Sequence, residues 1–281
     1  MKIGGYFFER KLMYHNRPTV QDIRDKKRRG EKMTMLYVST LEEAAAAAAA
    51  EIDILSIESR FFTPEMREAA GDCFVQIGLI YGDLVTSEEY LRDAFKYSKM
   101  GGDCFYCAAS LSIQKELVEN SVPVVGHVGL VPSQCTWTGG FKAVGKTAVS
   151  AIELLKKVKK LEEIGCFGAE LEVVPEKIGA YLSANSDLLM FGMGAGSGAD
   201  AQYLFTEDVL GYGINHSPRH AKTYRNFAVE FERLQKERIK AFSEFKRDVL
   251  TGAYPANEHN VSILEREYQE FVKIAENLKG I

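Results

Sequence analysis

The stretch Val124–Thr147, VVGHVGLVPSQCTWTGGFKAVGKT, decides how the rest of the chain is read. A short apolar run stops at Gly126-His127, and a long loop bearing Gly, Pro and Thr follows before a helical pattern resumes at Thr147. In an α/β protein, a polar residue at the carboxyl end of a strand, followed by an elaborate loop, is where sites are built. The alternative is a core strand with a capping histidine and an inert loop, and for an isolated Gly-His it would be preferred. The ordered series that follows favours a site: a Gly-Leu-x-Pro turn, then Gly139-Gly-Phe-Lys142, then Gly145-Lys-Thr147.

Outward from this segment, short apolar runs alternate with helical patterns. The expected strands are Met33–Val38, Ile52–Ile57, Phe74–Ile80, Cys104–Cys107, Val124–Val128, Ala169–Val173, Leu188–Met193 and Ala201–Phe205. Between them lie amphipathic stretches such as Glu88–Lys99, Leu111–Glu119 and Ala148–Glu163. Strands alternating with helices predict a parallel sheet. Eight in this rhythm predict an α/β fold closed into a single (β/α)8 TIM barrel, although periodicity alone fits an open doubly wound sheet as well. Ala44–Ala50 is helix-favouring and small enough to lie close on a strand layer.

The expected organisation is an N-terminal extension over 1–16, the barrel over 17–261 and a C-terminal helical extension over 262–281. From His220 to about Leu250 the pattern is helical and heavily charged, and Ile263–Leu278 forms one more amphipathic helix. The apolar stripe Phe227, Phe231, Leu234, Ile239, Phe242 needs a surface to bury against, either the barrel or another subunit. A homo-oligomer is therefore expected.

Composition excludes several classes. A formal net charge of -4 offers no electrostatic footprint for nucleic acid. No apolar run approaches membrane-spanning length, and Met1–Lys11 lacks a secretory pattern. The 5 cysteines are odd in number and mostly lie in apolar segments, which points to reduced thiols in a cytoplasmic protein. Cys104 and Cys107 have CxxC spacing, but residues three apart on a strand face opposite ways.

In a barrel, chemistry belongs at the carboxyl ends of the strands. That rule selects Glu58 and Ser59, the segment Gly78 to Asp83, Tyr106, His127, Glu172 and the glycine cluster Gly192–Gly196. Glu172 interrupts an apolar strand, and a carboxylate among apolar neighbours has a raised pKa and can shuttle protons. A strand-end acid reaching solvent fits the spacing equally well. Glu170 lies on the same strand face, and two inward carboxylates need a cation, a proton or a substrate ammonium between them.

These residues carry a resemblance. From Arg17-Pro-Thr-Val-Gln-Asp-Ile23 to Glu258-His259, the chain resembles the ketopantoate hydroxymethyltransferase family. The most specific parts are Gly126-His-Val-Gly-Leu130 with Pro132 and Gln134, Gly139-Gly-Phe-Lys142, Leu171-Glu-Val-Val-Pro175, Gly192-Met-Gly-Ala-Gly196 and Asp208-Val-Leu-Gly211. The resemblance implies a barrel of the phosphoenolpyruvate mutase and isocitrate lyase kind, assembled from several subunits. It implies a magnesium ion that binds a 2-oxo acid, methylenetetrahydrofolate as co-substrate, and a glutamate base matched by Glu172.

Departures from the family pattern are as informative. A metal-binding aspartate has become Glu58, beside a retained Ser59. A second metal aspartate falls at Gly78, and a Lys-x-Glu pair has become Tyr106-Cys-Ala108. Glu58 is the one carboxylate left at the metal positions, so magnesium is expected to bind weakly or not at all. Glu172 is the expected catalytic base, with Ser59, Glu58, Tyr106 and His127 binding a small-molecule substrate. Three readings follow: a diverged enzyme that removes a proton through Glu172, either metal-independent or with a cation site rebuilt from Glu58, Glu170 and Asp83; a non-catalytic barrel kept for assembly or ligand sensing; and authentic 3-methyl-2-oxobutanoate hydroxymethyltransferase activity. Retention of Glu172, Ser59 and His127 favours altered chemistry.

Overall fold

The computed structural model describes residues 17–212 and 218–278; the N-terminal extension expected over 1–16 lies outside them. Threonines and a serine stand where loops turn into helices, and there they cap. The side chains of Thr19, Thr40, Thr63, Thr86, Ser110 and Thr147 each accept a first-turn backbone N–H. Donors that would otherwise be orphaned are thereby satisfied. Glu43 and Glu89 return the bond to their capping threonines.

These caps start α1 (Val20–Arg28), α2 (Leu41–Ala49), α3 (Pro64–Ala69), α4 (Ser87–Lys99) and α5 (Leu111–Glu119). After the short α6 (Cys135–Thr138) come α7 (Ala148–Glu163), α8 (Glu176–Ala184) and α9 (Thr206–Leu210). Between the helices run β1 (Met33–Tyr37), β2 (Ile54–Glu58), β3 (Phe74–Gly78), β4 (Cys104–Tyr106), β5 (Val124–Gly129), β6 (Gly168–Glu172), β7 (Leu189–Met193) and β8 (Ala201–Phe205). All pairings are parallel, and β8 returns to β1 with Met33 opposite Ala201 and Tyr37 opposite Phe205. The sheet is thus a closed (β/α)8 barrel, and the open-sheet alternative falls.

Alternation along each strand separates two apolar layers. Leu55, Ile57, Val75, Ile77 and Phe105 pack outward under the helices, while Ile54, Phe74, Val125, Leu189 and Phe191 fill the barrel. Full burial of each such side chain is worth about 1.5–3 kcal/mol. Phe167, just before β6, has its ring 6.0 Å from Phe74 and 6.5 Å from Phe191. These rings plug the lower barrel. Cys104 belongs to the inner layer and Cys107 to the outer, and neither forms a disulfide.

Toward the carboxyl ends the same inward positions turn polar. Ser56 stands opposite Gln76, His127 opposite Glu170, Glu58 opposite Gly78, and Gly78 opposite Tyr106. The sequence therefore closes the barrel below with aromatic rings and leaves a hydrophilic layer under its mouth.

The chain divides into two compact units between Arg225 and Asn226. The second contains α10 (Phe227–Thr251), a 3-10 turn at Asn257–His259 and α11 (Glu265–Leu278). Phe231, Leu234, Ile239 and Phe242 on α10 are exposed. Among the described residues, no helix is long and apolar enough to cross a membrane.

Candidate active site

Glu170 and Glu172 leave β6 on its inward face, two residues apart, and are only 6% and 8% exposed. The Glu170 carboxyl is held by Gln76 on β3, whose Nε2 donates to Oε1 at 2.8 Å and to Ser56 Oγ at 3.2 Å. Ser56 is in turn hydrogen-bonded to the Tyr203 hydroxyl. One polar chain thus crosses from β6 through β3 and β2 to β8. Gln76 Oε1 is buried without a partner.

His127 supplies the opposite side. Its Nε2 lies 2.5 Å from the Leu130 carbonyl and its Nδ1 2.8 Å from the Tyr106 hydroxyl. A carbonyl can only accept, so Nε2 carries the proton and Tyr106 donates to Nδ1. Glu172 Oε2 lies 3.4 Å from Nε2, which would be an ion pair only with a charged imidazole. Burial instead pushes His127 down to about 4, so the ring is neutral at pH 7.

Burial acts on the carboxyls in the opposite sense, lifting Glu172 to about 7 and Glu170 to about 8. The Glu172 charge adds to the rise at Glu170. Glu172 therefore ionises first, and its charge then helps keep the proton on Glu170; the two titrate as a pair. Burial first, then the same carboxylates, raises Tyr106 and Tyr203 well above the ordinary phenol value. Both tyrosines remain hydrogen-bond donors.

Backbone geometry fixes Glu172 from both sides. Gly129 ends β5 opposite Glu172 with φ of 101°, and a Cβ there would lie 2.1 Å from the Glu172 carbonyl oxygen. Only glycine allows that approach. Val173, the next residue, has φ of 48°, a left-handed conformation rarely adopted by a β-branched side chain. Its N–H donates to the Met193 carbonyl at 2.8 Å, and its carbonyl accepts from Val144 at 3.1 Å. The strain is held by bonds to two neighbouring segments.

Two cavities open from Glu172. The inner one, about 240 Å3, is bounded by Glu58, Tyr106, His127, Glu170 and Tyr203 among others. The outer vestibule, about 1080 Å3, takes in Phe141, Lys142, Lys146, Arg219 and His220. The loop Gly139–Thr147 thus does border the site.

The other expected positions separate. Glu58 lines the inner cavity and is ion-paired with Arg60. A Cβ on Gly78 would stand 3.5 Å from the Glu58 Cα, so the seat beside Glu58 is bare backbone. Ser59 is buried in a 3-10 turn and does not line the cavity, and Asp83 is exposed in the loop before α4. Among the described residues, no group of three or more His, Cys, Asp or Glu side chains is placed to hold a metal ion. Sequence reasoning missed Ser56, Gln76 and Tyr203. Their polar character at inward strand positions was the available signal.

A family model described as ketopantoate hydroxymethyltransferase matches residues 86–257. The chain is similar to 3-methyl-2-oxobutanoate hydroxymethyltransferase 1 of Methylibium petroleiphilum, with 28% identity over 94% of this chain and 95% of that one. It is also similar to 3-methyl-2-oxobutanoate hydroxymethyltransferase of Francisella tularensis subsp. tularensis, 34% identical over 54% of this chain and 55% of the relative. Among solved structures it is similar to 2,3-dimethylmalate lyase, a PEP mutase/isocitrate lyase superfamily member. That match has a TM-score of 0.47 and 11% identity over 92% of this chain and 95% of that one.

Proposed function

Since this chain belongs to the ketopantoate hydroxymethyltransferase family, we propose that it is a hydroxymethyltransferase-like enzyme acting on a small carbonyl compound, a 2-oxo acid or a relative of one. The observation that carries this reading is Glu172: a buried carboxyl near neutrality, opening into both cavities at the mouth of the barrel. A base whose pKa lies near the working pH is best matched to removing a proton from carbon.

In the proposed reaction, Glu172 takes the proton from the carbon next to the carbonyl, and the electron pair moves onto oxygen as an enolate. Tyr203, which keeps its proton, is the donor available to that oxygen, while the Tyr106 proton is given to His127 Nδ1. Neutral His127 orients Tyr106 and, with its pKa far below 7, does not act as the acid. The enolate carbon then adds to a formaldehyde-level carbon, whose C=O or C=N π bond breaks as its electron pair moves onto the heteroatom and takes up the proton held by Glu172. Where the unit is carried on nitrogen, water then displaces that nitrogen, and the reverse aldol step breaks the new C–C bond. The outer vestibule supports entry of a bulky donor such as methylenetetrahydrofolate. Glu58 borders the substrate, and Ser59 supports the turn behind it.

The donor set does not match a magnesium site. Magnesium wants near-octahedral oxygen ligands, whereas Glu58 is engaged by Arg60 and faces Gly78. Titration calorimetry with magnesium is expected to give weak or no heat.

A second reading, authentic 3-methyl-2-oxobutanoate hydroxymethyltransferase activity, is supported by the near full-length similarity to the Methylibium protein. Solvent deuterium exchange into 2-oxoisovalerate and other carbonyl compounds separates the two, run with and without magnesium. Exchange without metal that Glu172→Gln abolishes supports the first reading; exchange into 2-oxoisovalerate that requires magnesium supports the second. Equal rates in wild type and Glu172→Gln would defeat the base assignment.

The exposed stripe on α10 supports a homo-oligomer, since obligate interfaces are more apolar than ordinary surface. Sedimentation at the monomer mass of 31.4 kDa would defeat that part. The buried free cysteines support a reducing, cytoplasmic setting.

A further inference from the structure

We propose that Gln76 and Ser56 are positioning residues: together they turn the Tyr203 hydroxyl proton away from the protein and toward the carbonyl oxygen of a substrate in the inner cavity. The inference deepens the function proposed above and rests on its placing the reaction there. Ser56 and Tyr203 line that cavity of about 240 Å3 together with Glu172, whereas Gln76 stands behind them, fully buried.

Proton counting fixes the direction of the chain. A glutamine amide has two N–H donors on one nitrogen and a carbonyl oxygen that only accepts. Gln76 Nε2 gives one N–H to Glu170 Oε1 at 2.8 Å and the other to Ser56 Oγ at 3.2 Å. Turning the amide over would strand both N–H groups where Oε1 now stands, a spot with no partner in reach. Two orphaned donors cost more than one orphaned carbonyl oxygen, so the orientation is set.

Ser56 has a single proton. Its oxygen accepts from Gln76, and the proton goes on to Tyr203. Burial raises Tyr203 well above the ordinary phenol value, and the Ser56 bond opposes that rise, as a bond donated to the phenol oxygen does. Tyr203 therefore accepts from Ser56 and has its own proton left over, facing the cavity. Phe205 stacks on the Tyr203 ring with centroids 5.6 Å apart, which limits how far the ring can swing.

The other phenol nearest Glu170, Tyr106, has given its proton to His127 Nδ1. A donor aimed before the substrate arrives needs no rearrangement when charge develops on the carbonyl oxygen. Gln76→Glu keeps the shape and removes both N–H groups. A carboxyl oxygen in place of Nε2 would accept the Ser56 proton, Tyr203 would then donate to Ser56 Oγ, and the substrate would lose its donor.

The probe is 3,3-dimethyl-2-oxobutanoate carrying 13C at the ketone carbon, a 2-oxo acid with no hydrogen on the neighbouring carbon and hence no turnover through Glu172. Isotope-edited infrared spectra of its complex with the full chain read the C=O stretch, which falls when the oxygen accepts a hydrogen bond. The band is expected to lie lower in wild type than in Tyr203→Phe and Gln76→Glu, which should coincide. Since Ser56 transmits the change, Gln76→Glu/Ser56→Ala should return the band close to its wild-type position, a recovery that a merely structural role for Gln76 would not give. Gln76→Met leaves the direction of Ser56 open and should fall between, and it serves if a further buried carboxyl prevents folding. In the exchange assay, Tyr203→Phe and Gln76→Glu should each lower kcat by about a hundredfold with KM little changed.

A band indifferent to both Gln76 variants, a change in Gln76→Glu that persists in the double variant, or no saturable binding of the probe would overturn the inference. The expected bands without deuterium exchange into any carbonyl compound would sink the proposed reaction alone. Exchange that Glu172→Gln abolishes but Gln76→Glu leaves intact would sink the inference alone.

Discussion

Two clusters of buried charge sit at opposite ends of the barrel, and they are built on opposite rules. At the amino ends, Asp103 lies 3.5 Å from both Arg17 and Arg67 and accepts the Val75 N–H at 2.8 Å. Arg67 also donates to the carbonyls of Gly71 and Cys73. At the carboxyl ends, Glu170 and Glu172 have no cationic partner among the described residues, and the adjacent histidine is neutral. Burial raises the carboxyl pKa at both ends, Asp103 included, but there two guanidiniums oppose the rise. The lower cluster has the form of a brace, and the upper one borders a cavity. The difference fits the general division of such barrels into a stabilising face and a reactive one.

Removing the brace should have the largest effect. Asp103→Ala leaves two buried guanidiniums uncompensated and is expected to cost about 3–5 kcal/mol in urea unfolding. Activity per folded molecule should be unchanged. A loss below about 1 kcal/mol would mean that the lower cluster is no more structural than the upper.

Gly129→Ala attacks the upper cluster through its backbone. The new Cβ would collide with the Glu172 carbonyl in a conformation that L side chains resist, and a loss of about 1–3 kcal/mol is expected. Deuterium exchange should fall as well, because the strand end carrying the proposed base must move. Wild-type exchange at normal stability would show that the close approach is unimportant.

The third prediction concerns pH. In the folded chain Glu172 and Glu170 hold protons up to about 7 and about 8, against an ordinary 4.5, while His127 is lowered from 6.5 to about 4. Between pH 4 and 6.5 the histidine gains stability with rising pH and partly offsets the carboxyls. Above 6.5 only the carboxyls still titrate, the folded state binds more protons than the unfolded one, and stability falls as pH rises toward 8. The fall should be on the order of 2 kcal/mol. Glu170→Gln should flatten most of it. An unchanged slope in that variant would remove Glu170 as its source.

The smallest effect belongs to neither cluster. Glu88 and Arg92 pair on the exposed face of α4, and Glu88→Ala should change stability by less than about 0.5 kcal/mol. A larger change would blur the contrast between buried and exposed charge on which the comparison depends.

How much of this was legible in the sequence depends on the range of the signal. All eight strands were, because each is a short apolar run bounded by turn residues and capped helices. Glu172, Tyr106 and His127 line the cavity below the mouth, and that position was readable because strand-end placement is a local property. Glu170 was read on the same face as Glu172 from the two-residue period alone. Ser56, Gln76 and Tyr203 were not: their polar character at inward strand positions was a local signal, but the partners that make them matter are reached across the barrel. Ser59 shows the converse: its motif position suggested the site, yet the chain turns into a 3-10 helix there and buries it.

The left-handed Val173 has a consequence for any attempt to evolve this chain. A library saturated at that position and sorted for thermal survival should enrich glycine and asparagine, which adopt the conformation at little cost. The same library sorted for turnover should reject them, because a relaxed hinge beside Glu172 would let the base wander. The two selections would diverge at a residue that need never touch substrate, and that divergence would map where the fold has traded robustness for aim.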